Sequence, residues 1–249
     1  MHVQIHPVLA IAFAACATAA LWAAPMPKES LVPKIADTVE ATAAPGDDAA
    51  RLANENVSIQ NLKMFGIAVH SYAGANGGKL PQNILDKADK PLLSWRVLLL
   101  PYLGENNLYR KFKLDEPWDS AHNLKLLEKM PDLFASPRVK VKKGYTVYQG
   151  FSGNGAFFGC NYTIPKIPDG TSNTILCVES TAAVPWTKPV DIAFDRTKDL
   201  PDFGKAFGAK PFTVLCDGSV RDLDLKKISA ATLKDAITTD DGNVLGEDW

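Results

Sequence analysis

The chain is poor in cysteine and histidine, and its charges nearly cancel. Of four cysteines, Cys16 falls inside the first apolar run, which leaves Cys160, Cys177 and Cys216. An odd three cannot build a disulfide framework and can close at most one bridge. No C-x-x-C occurs, and none of these cysteines stands at zinc-like spacing from His70 or His122. All three lie on or beside apolar, strand-like stretches and read as small buried hydrophobes, with a single bridge as the alternative. Lys plus Arg number 27 against 28 acids. With a net charge near zero and no basic run, the chain has no field to attract nucleic acid and no patch for an anionic membrane surface.

What the sequence does have is an apolar start. Residues 8 to 24, VLAIAFAACATAALWAA, carry no charge. The run is short for a membrane span and slightly long for a signal-peptide core, and no Lys or Arg precedes it. Residues 1–24 therefore read either as a signal peptide, cut after Ala20 or Ala23, or as an uncleaved N-terminal anchor. Phe13-Ala14-Ala15-Cys16 also approaches a lipobox, which would place a lipid on Cys16. Each reading expects an extracytoplasmic protein in the periplasm, at the cell surface or secreted, touching a membrane only through this segment.

Residues 25–50 are rich in Ala, Pro and small polar residues and read as a tether; residues 51–249 read as one domain. The pattern changes at about Asp48. A helix is expected through residue 73, with Ile59, Leu62, Phe65, Val69 and Tyr72 in one stripe and glycines at 74, 77 and 78 to stop it. Ser94 can cap a short helix through WRVLLLPYL, bent or ended by Pro101. Short helical pieces are expected at 107–113 and 122–129. From residue 144 the runs GYTVYQGF, NTILCVES, DIAFD, PFTVLC and VRDLDL are β-prone and expected to pair antiparallel. Asp217-Gly218-Ser219 joins the last two as a hairpin, and Ser229 caps a final helix to about Ile237. Helix first and strands later point to α+β architecture.

No constellation carries recognisable chemistry. Gly150-Phe151-Ser152-Gly153-Asn154 resembles a nucleophile elbow, but Asn154 stands where the last glycine belongs. Beyond the leader, only His70 and His122 could serve as its base. The glycines at 150, 153, 155 and 159 fit neither a dinucleotide fingerprint nor a phosphate loop and read as permitting an unusual loop conformation. Asp169, Glu179 and Asp217 form no recognisable carboxylate pattern, and Asp-Gly turns account for two of them. Asp115, Glu116, Asp119 and His122 read as caps and solvated charges rather than a metal site. Trp95, Trp118 and Trp186 read as anchors for loops on the core rather than sugar platforms. No catalytic, cofactor-binding or metal-ligating residue is expected.

The segments NLKMFGIAVHSYAGANGGKLPQN (61–83), LSWRVLLLPYLGENNLYRKFKLDEPWDSAHN (93–123), IPDGTSNTILCVES (167–180), VPWTKPVDIAFD (184–195) and CDGSVRDL (216–223) together resemble a large bacterial family. Its members are uncharacterised, prepilin-like secreted proteins, catalogued as a domain of unknown function and sometimes labelled solute-binding-like. The resemblance implies a pilin-like fold, a helical spine against an antiparallel sheet, and no established enzyme activity. This chain departs from it twice. It lacks the G-F-T-L-x-E processing motif, and Pro25, Pro27, Pro33 and Pro45 interrupt the assembling helix. Related members carry a histidine ten residues before the Asp-Gly, where Phe207 stands here.

Two functions are expected from this reading. The first is a non-enzymatic, pilin- or pseudopilin-like protein of the envelope, the cell surface or secretion, with envelope or secretion-system proteins as partners. The alternative is a periplasmic ligand-binding protein or weak hydrolase built on the glycine-rich 150–160 loop and the Asp169 to Glu179 segment.

Overall fold

The computed structural model describes residues 39–42, 47–153, 155–160 and 162–249. The leader with Cys16, most of the Ala/Pro-rich stretch, and Asn154 lie outside the described residues. A short piece of that stretch is placed: β1 (Glu40–Ala41) pairs antiparallel with β4 (Val139–Lys140), and Thr42 N donates to Arg138 O at 3.1 Å.

Helix α1 (Asp48–Ala75) begins where Asp47 accepts a hydrogen bond from Ala50 N at 3.0 Å and ends at Asn76, before two glycines of positive φ. Its inner face buries Ser58, Leu62, Phe65, Gly66, Ala68, Val69 and Ala73. Of the expected stripe, Leu62, Phe65 and Val69 are buried, while Ile59 and Tyr72 are half-buried at its rim. The helix is rolled towards Gly66 because it comes very close to the sheet there. A Cβ on Gly66 would lie 2.8 Å from the Cα of Gly218 in the Asp-Gly turn. No described helix is long and apolar enough to cross a membrane.

The middle third is irregular. A small hairpin, β2 (Ile84–Leu85) with β3 (Pro91–Leu93), precedes α2 (Trp95–Leu99), which Ser94 caps through Arg96 N. A 3-10 turn starting at Leu100 takes Pro101 in its first turn and stops at Gly104, whose φ is +81°. The piece expected at 107–113 is only α3 (Asn106–Tyr109), and 123–129 is a 3-10 helix. Asn123 explains the tight turn between them: Lys113 N donates to its Oδ1, while its Nδ2 donates to the carbonyls of Lys113, Glu116 and Pro117. Those bonds hold the chain in a compact loop in place of regular helix.

The main sheet contains β5 (Tyr145–Gln149), β7 (Ile175–Pro185), β9 (Phe212–Leu215) and β10 (Val220–Asp222) in the order β10-β9-β7-β5, antiparallel throughout. The β9–β10 hairpin turns at Asp217-Gly218 as expected, with Gly218 at φ +87°. Both sheet faces are covered, which is why ILCV and FTVL are buried at every position rather than at alternate ones. Leu176, Cys177 and Val214 join the core beneath α1, with Phe65, Trp95 and Trp186; Ile175, Val178 and Leu215 join a second core beneath α4 (Ala230–Ile237). Ser229 caps α4 by accepting from Thr232 N at 3.2 Å. The expectation of antiparallel pairing fails at DIAFD. β6 (Phe151–Ser152) and β8 (Ile192–Ala193) run parallel, because the long β7 intervenes and brings the chain back in the direction in which it left Gly150. Ile192 N donates to Gly150 O and Phe194 N to Ser152 O, at 2.9 and 2.8 Å. The architecture is thus mixed helix and sheet, with a long helix ahead of an antiparallel sheet.

Candidate functional site

Polar side chains converge in the interior rather than in a cleft. At the end of the sheet nearest the start of α1, the Glu179 carboxylate on β7 is fully buried. It accepts from Ser58 Oγ of α1 at 2.6 Å, from Ser136 Oγ at 3.0 Å and from the backbone of Phe212 at 2.9 Å, and it pairs with Arg138 Nη1. Tyr148 OH lies 2.7 Å from Ser58 Oγ. Burial, reinforced by the negative charge of Glu179, pushes the Tyr148 phenol above its ordinary value. The Arg138 guanidinium stacks between the rings of Phe212 and Phe207, 4.4 and 4.9 Å from their centroids. Phe207 therefore serves as one wall of an arginine slot.

A second buried pair lies further along the same sheet. Arg96 of α2 and Asp191, ahead of β8, have completely buried side chains with Nη2 2.8 Å from Oδ1. Arg96 also donates to Tyr148 O through Nε and Nη2 and to Ser94 Oγ through Nη1. Asp191 accepts from Trp95 Nε1 and from Gly150 N, both at 3.0 Å. Burial pushes the Asp191 carboxyl above the usual carboxylate range, against the pull of Arg96. The Arg96–Asp191 pair is closed off from solvent, while Arg138 of the first pair keeps one edge, 12% of its side chain, accessible.

The residues singled out from the sequence are dispersed. His70 Nε2 donates to Cys216 O at 2.8 Å and His122 Nε2 to Lys111 O at 2.7 Å. Neither bonds to Ser152, whose strand is paired with β8. The glycine loop is tight: a Cβ on Gly150 would lie 2.2 Å from the Phe158 ring, and one on Gly153, at φ +144°, would lie 2.1 Å from Phe194 O. These glycines thus allow close packing. Asp169 is occupied by the backbone amides of Asp241 and Gly242 at 2.8 and 2.9 Å, and Asp217 caps its own turn through Ser219. Glu116 pairs with Lys113, and no group of three or more potential metal ligands forms among the described residues.

Trp95 and Trp186 are buried, with Trp186 Nε1 donating to Leu127 O at 3.0 Å; Trp118 is half-buried, with Lys188 5.4 Å from its ring centroid. Cys160, Cys177 and Cys216 are all free thiols, the last two completely buried and pushed well up in pKa by that burial. Sequence reasoning missed Ser58, Arg96, Arg138, Tyr148 and Asp191. The one local signal was the charge of Arg96 inside the apolar run SWRVLLLPYL.

No curated protein and no solved structure matches the chain. The model of the family described as "Protein of unknown function (DUF1559)" does match, over residues 49–149, a stretch that runs from the first turn of α1 to the end of β5. Residues 49–149 are thus similar to this uncharacterised family, whose label is solute-binding-like and which the motifs of the sequence also resemble.

Proposed function

We propose that this chain is a non-enzymatic, extracytoplasmic, pilin-like protein with a role in envelope or surface structure or in secretion. The observation that carries the reading is α1 itself: a 28-residue helix that lays one face on an antiparallel sheet and leaves Val57, Met64 and Ile67 exposed on the other. A helix that holds three large apolar side chains in water along one face is suited to assembly. The uncharged run at residues 8 to 24 supports export, and the inward-turned polar groups around Glu179 and Asp191 support a scaffold rather than a catalyst.

Cell fractionation with N-terminal sequencing, combined with crosslinking in intact cells, tests this. The expected result is protein outside the cytoplasm, starting near residue 21 or 24, at Cys16 or at Met1, and crosslinked to envelope or secretion components. Protein that stays in the cytoplasm, or that captures no envelope component, would remove the support for this role. The ligand-binding alternative predicts a melting shift with a sugar, peptide, nucleotide or metal.

A further inference from the structure

A cavity of about 120 Å³ lies beside the outermost strand of the main sheet, between β10, the turn that follows it and residues 248 and 249. Arg221, Leu223, Asp224, Ile228, Asp248 and Trp249 form its wall. A single water needs roughly 10–15 Å³, so the space takes a larger group. The indole Nε1 of Trp249 is buried and has no hydrogen-bond partner among the described residues. A buried donor in that state is costly, and it marks a place where an acceptor belongs.

The neighbours decide the charge of that acceptor. Arg221 lays its guanidinium over the Trp249 ring, 4.5 Å from the centroid, and pairs with no carboxylate among the described residues. The carboxylates nearby are already spent or turned away. Asp224 holds Lys210 and Lys227 at 3.5 and 3.7 Å. Asp248 accepts from Ser229 N and from Thr232 Oγ1, both at 2.6 Å. Asp222 alternates onto the face of β10 opposite Arg221. An indole N–H beside an unspent guanidinium suits a carboxylate, which has lone pairs for both.

The strand beside the cavity indicates what carries the carboxylate. β10 ends the sheet order, and no described strand pairs with its outer side. Leu215 N donates to Ser219 O and Leu223 N to Pro211 O, each at 2.9 Å. The alternation of an antiparallel ladder then turns the backbone of Arg221 towards β9 and the N–H and C=O of Val220 and Asp222 outward. Phe212, which faces Asp222, obeys the same alternation: its amide points away from β10 and donates to Glu179. An extended peptide can bond to such an edge, with pockets beside the strand reading its side chains or its terminus. A small free acid would use none of these main-chain groups.

We propose that β10 takes an extended peptide by strand addition and that the cavity receives the peptide's C-terminal carboxylate on Arg221 and Trp249 Nε1. This goes beyond the assembly reading and does not rest on it, since peptide binding and crosslinking to envelope components succeed or fail separately.

NMR of the full chain in mild detergent, with isotope-labelled tryptophan, supplies the test, and Trp249→Phe assigns the Trp249 indole signal. The probes are the peptide acetyl-Val-Thr-Val-Ala with a free C-terminus, the same peptide amidated, and acetate. The free-acid peptide is expected to shift the Trp249 Nε1–H signal to saturation. The amide and acetate should bind on the order of tenfold more weakly or worse, and Arg221→Gln should weaken the free acid to the same degree. Asp222→Pro removes an outward N–H at an edge position that tolerates proline, and should weaken the peptide while leaving the response to acetate unchanged. Arg221→Lys, which keeps the charge and loses the fork, should retain part of the binding, and thermal melting confirms that each variant is folded.

No shift of Trp249 with the free-acid peptide, equal binding of the amide, or binding indifferent to Arg221→Gln would each overturn the proposal. Acetate that binds as tightly as the peptide, with Asp222→Pro silent, would overturn it too, by reducing the cavity to a site for small acids.

Discussion

The two buried ion pairs do similar work in different surroundings. Arg96 and Asp191 are both wholly inaccessible, and between them they bind α2, the Gly150 turn and the approach to β8. Glu179 is equally buried, but Arg138 keeps 12% of its side chain accessible and is flanked by aromatic rings. Charges withdrawn from water lose several kcal/mol of hydration each, which only a complete set of partners offsets. The first pair has that complete set and no route for water. The second leaves one edge wet, where solvent can take over a lost contact. The difference teaches that what matters for each pair is the cost of leaving its partner stranded, more than the attraction within it.

The largest effect should come from the dry pair. Asp191→Asn keeps the size but leaves the Arg96 charge buried and unpaired, and should cost about 3–5 kcal/mol in chemical denaturation. A loss below about 1 kcal/mol would mean that water reaches Arg96 after all.

Next is the half-wet pair. Glu179→Gln and Arg138→Met should each cost about 3 kcal/mol, the low end for a broken buried pair. The double variant should fall close to the worse single one, because neither charge is then stranded. Simple additivity would show that the pair is not coupled and would erase the contrast.

The smallest effect belongs to an exposed pair, Asp195 with Lys198, whose side chains are 44% and 76% accessible. Hydrogen bonds from Thr197, then Lys198, hold the Asp195 carboxyl down at about 2. A carboxyl lowered on folding stabilises above its unfolded pKa, near 3.8, and that contribution is lost as pH falls from about 4 through 2. Carbon-detected NMR should find Asp195 titrating below the other exposed aspartates, and Thr197→Val should return it towards the ordinary range. An unshifted Asp195 would show that the Thr197 bonds do not persist in solution.

Local signals explain what was legible in advance. The start of α1, its Leu62-Phe65-Val69 stripe, the Ser94 and Ser229 caps and the Asp217-Gly218 hairpin each depend on residues within about one or two turns of one another. The glycine loop was read as permitting an unusual conformation, and Gly153 at φ +144° and Gly155 at φ +85° adopt one. The polar interior was not legible. Asp191 lies 95 residues from Arg96, and Glu179 lies 121 from Ser58 and 41 from Arg138. No sequence period links such positions. The parallel β6–β8 pair was missed for the same reason, since strand direction is set by the path between strands and not by their composition.

By itself the sequence determined a nearly charge-neutral chain with an uncharged apolar start, a long capped helix and a strand-rich second half, and a match to the DUF1559 family model over residues 49–149. Those features follow from composition, caps and periodicity, which act over a few residues. Only the tertiary structure decided which face of α1 is spent on the sheet and which remains open. It also decided that Arg96, Arg138, Glu179 and Asp191 meet in the interior, because burial forces distant charges to find one another once water is gone.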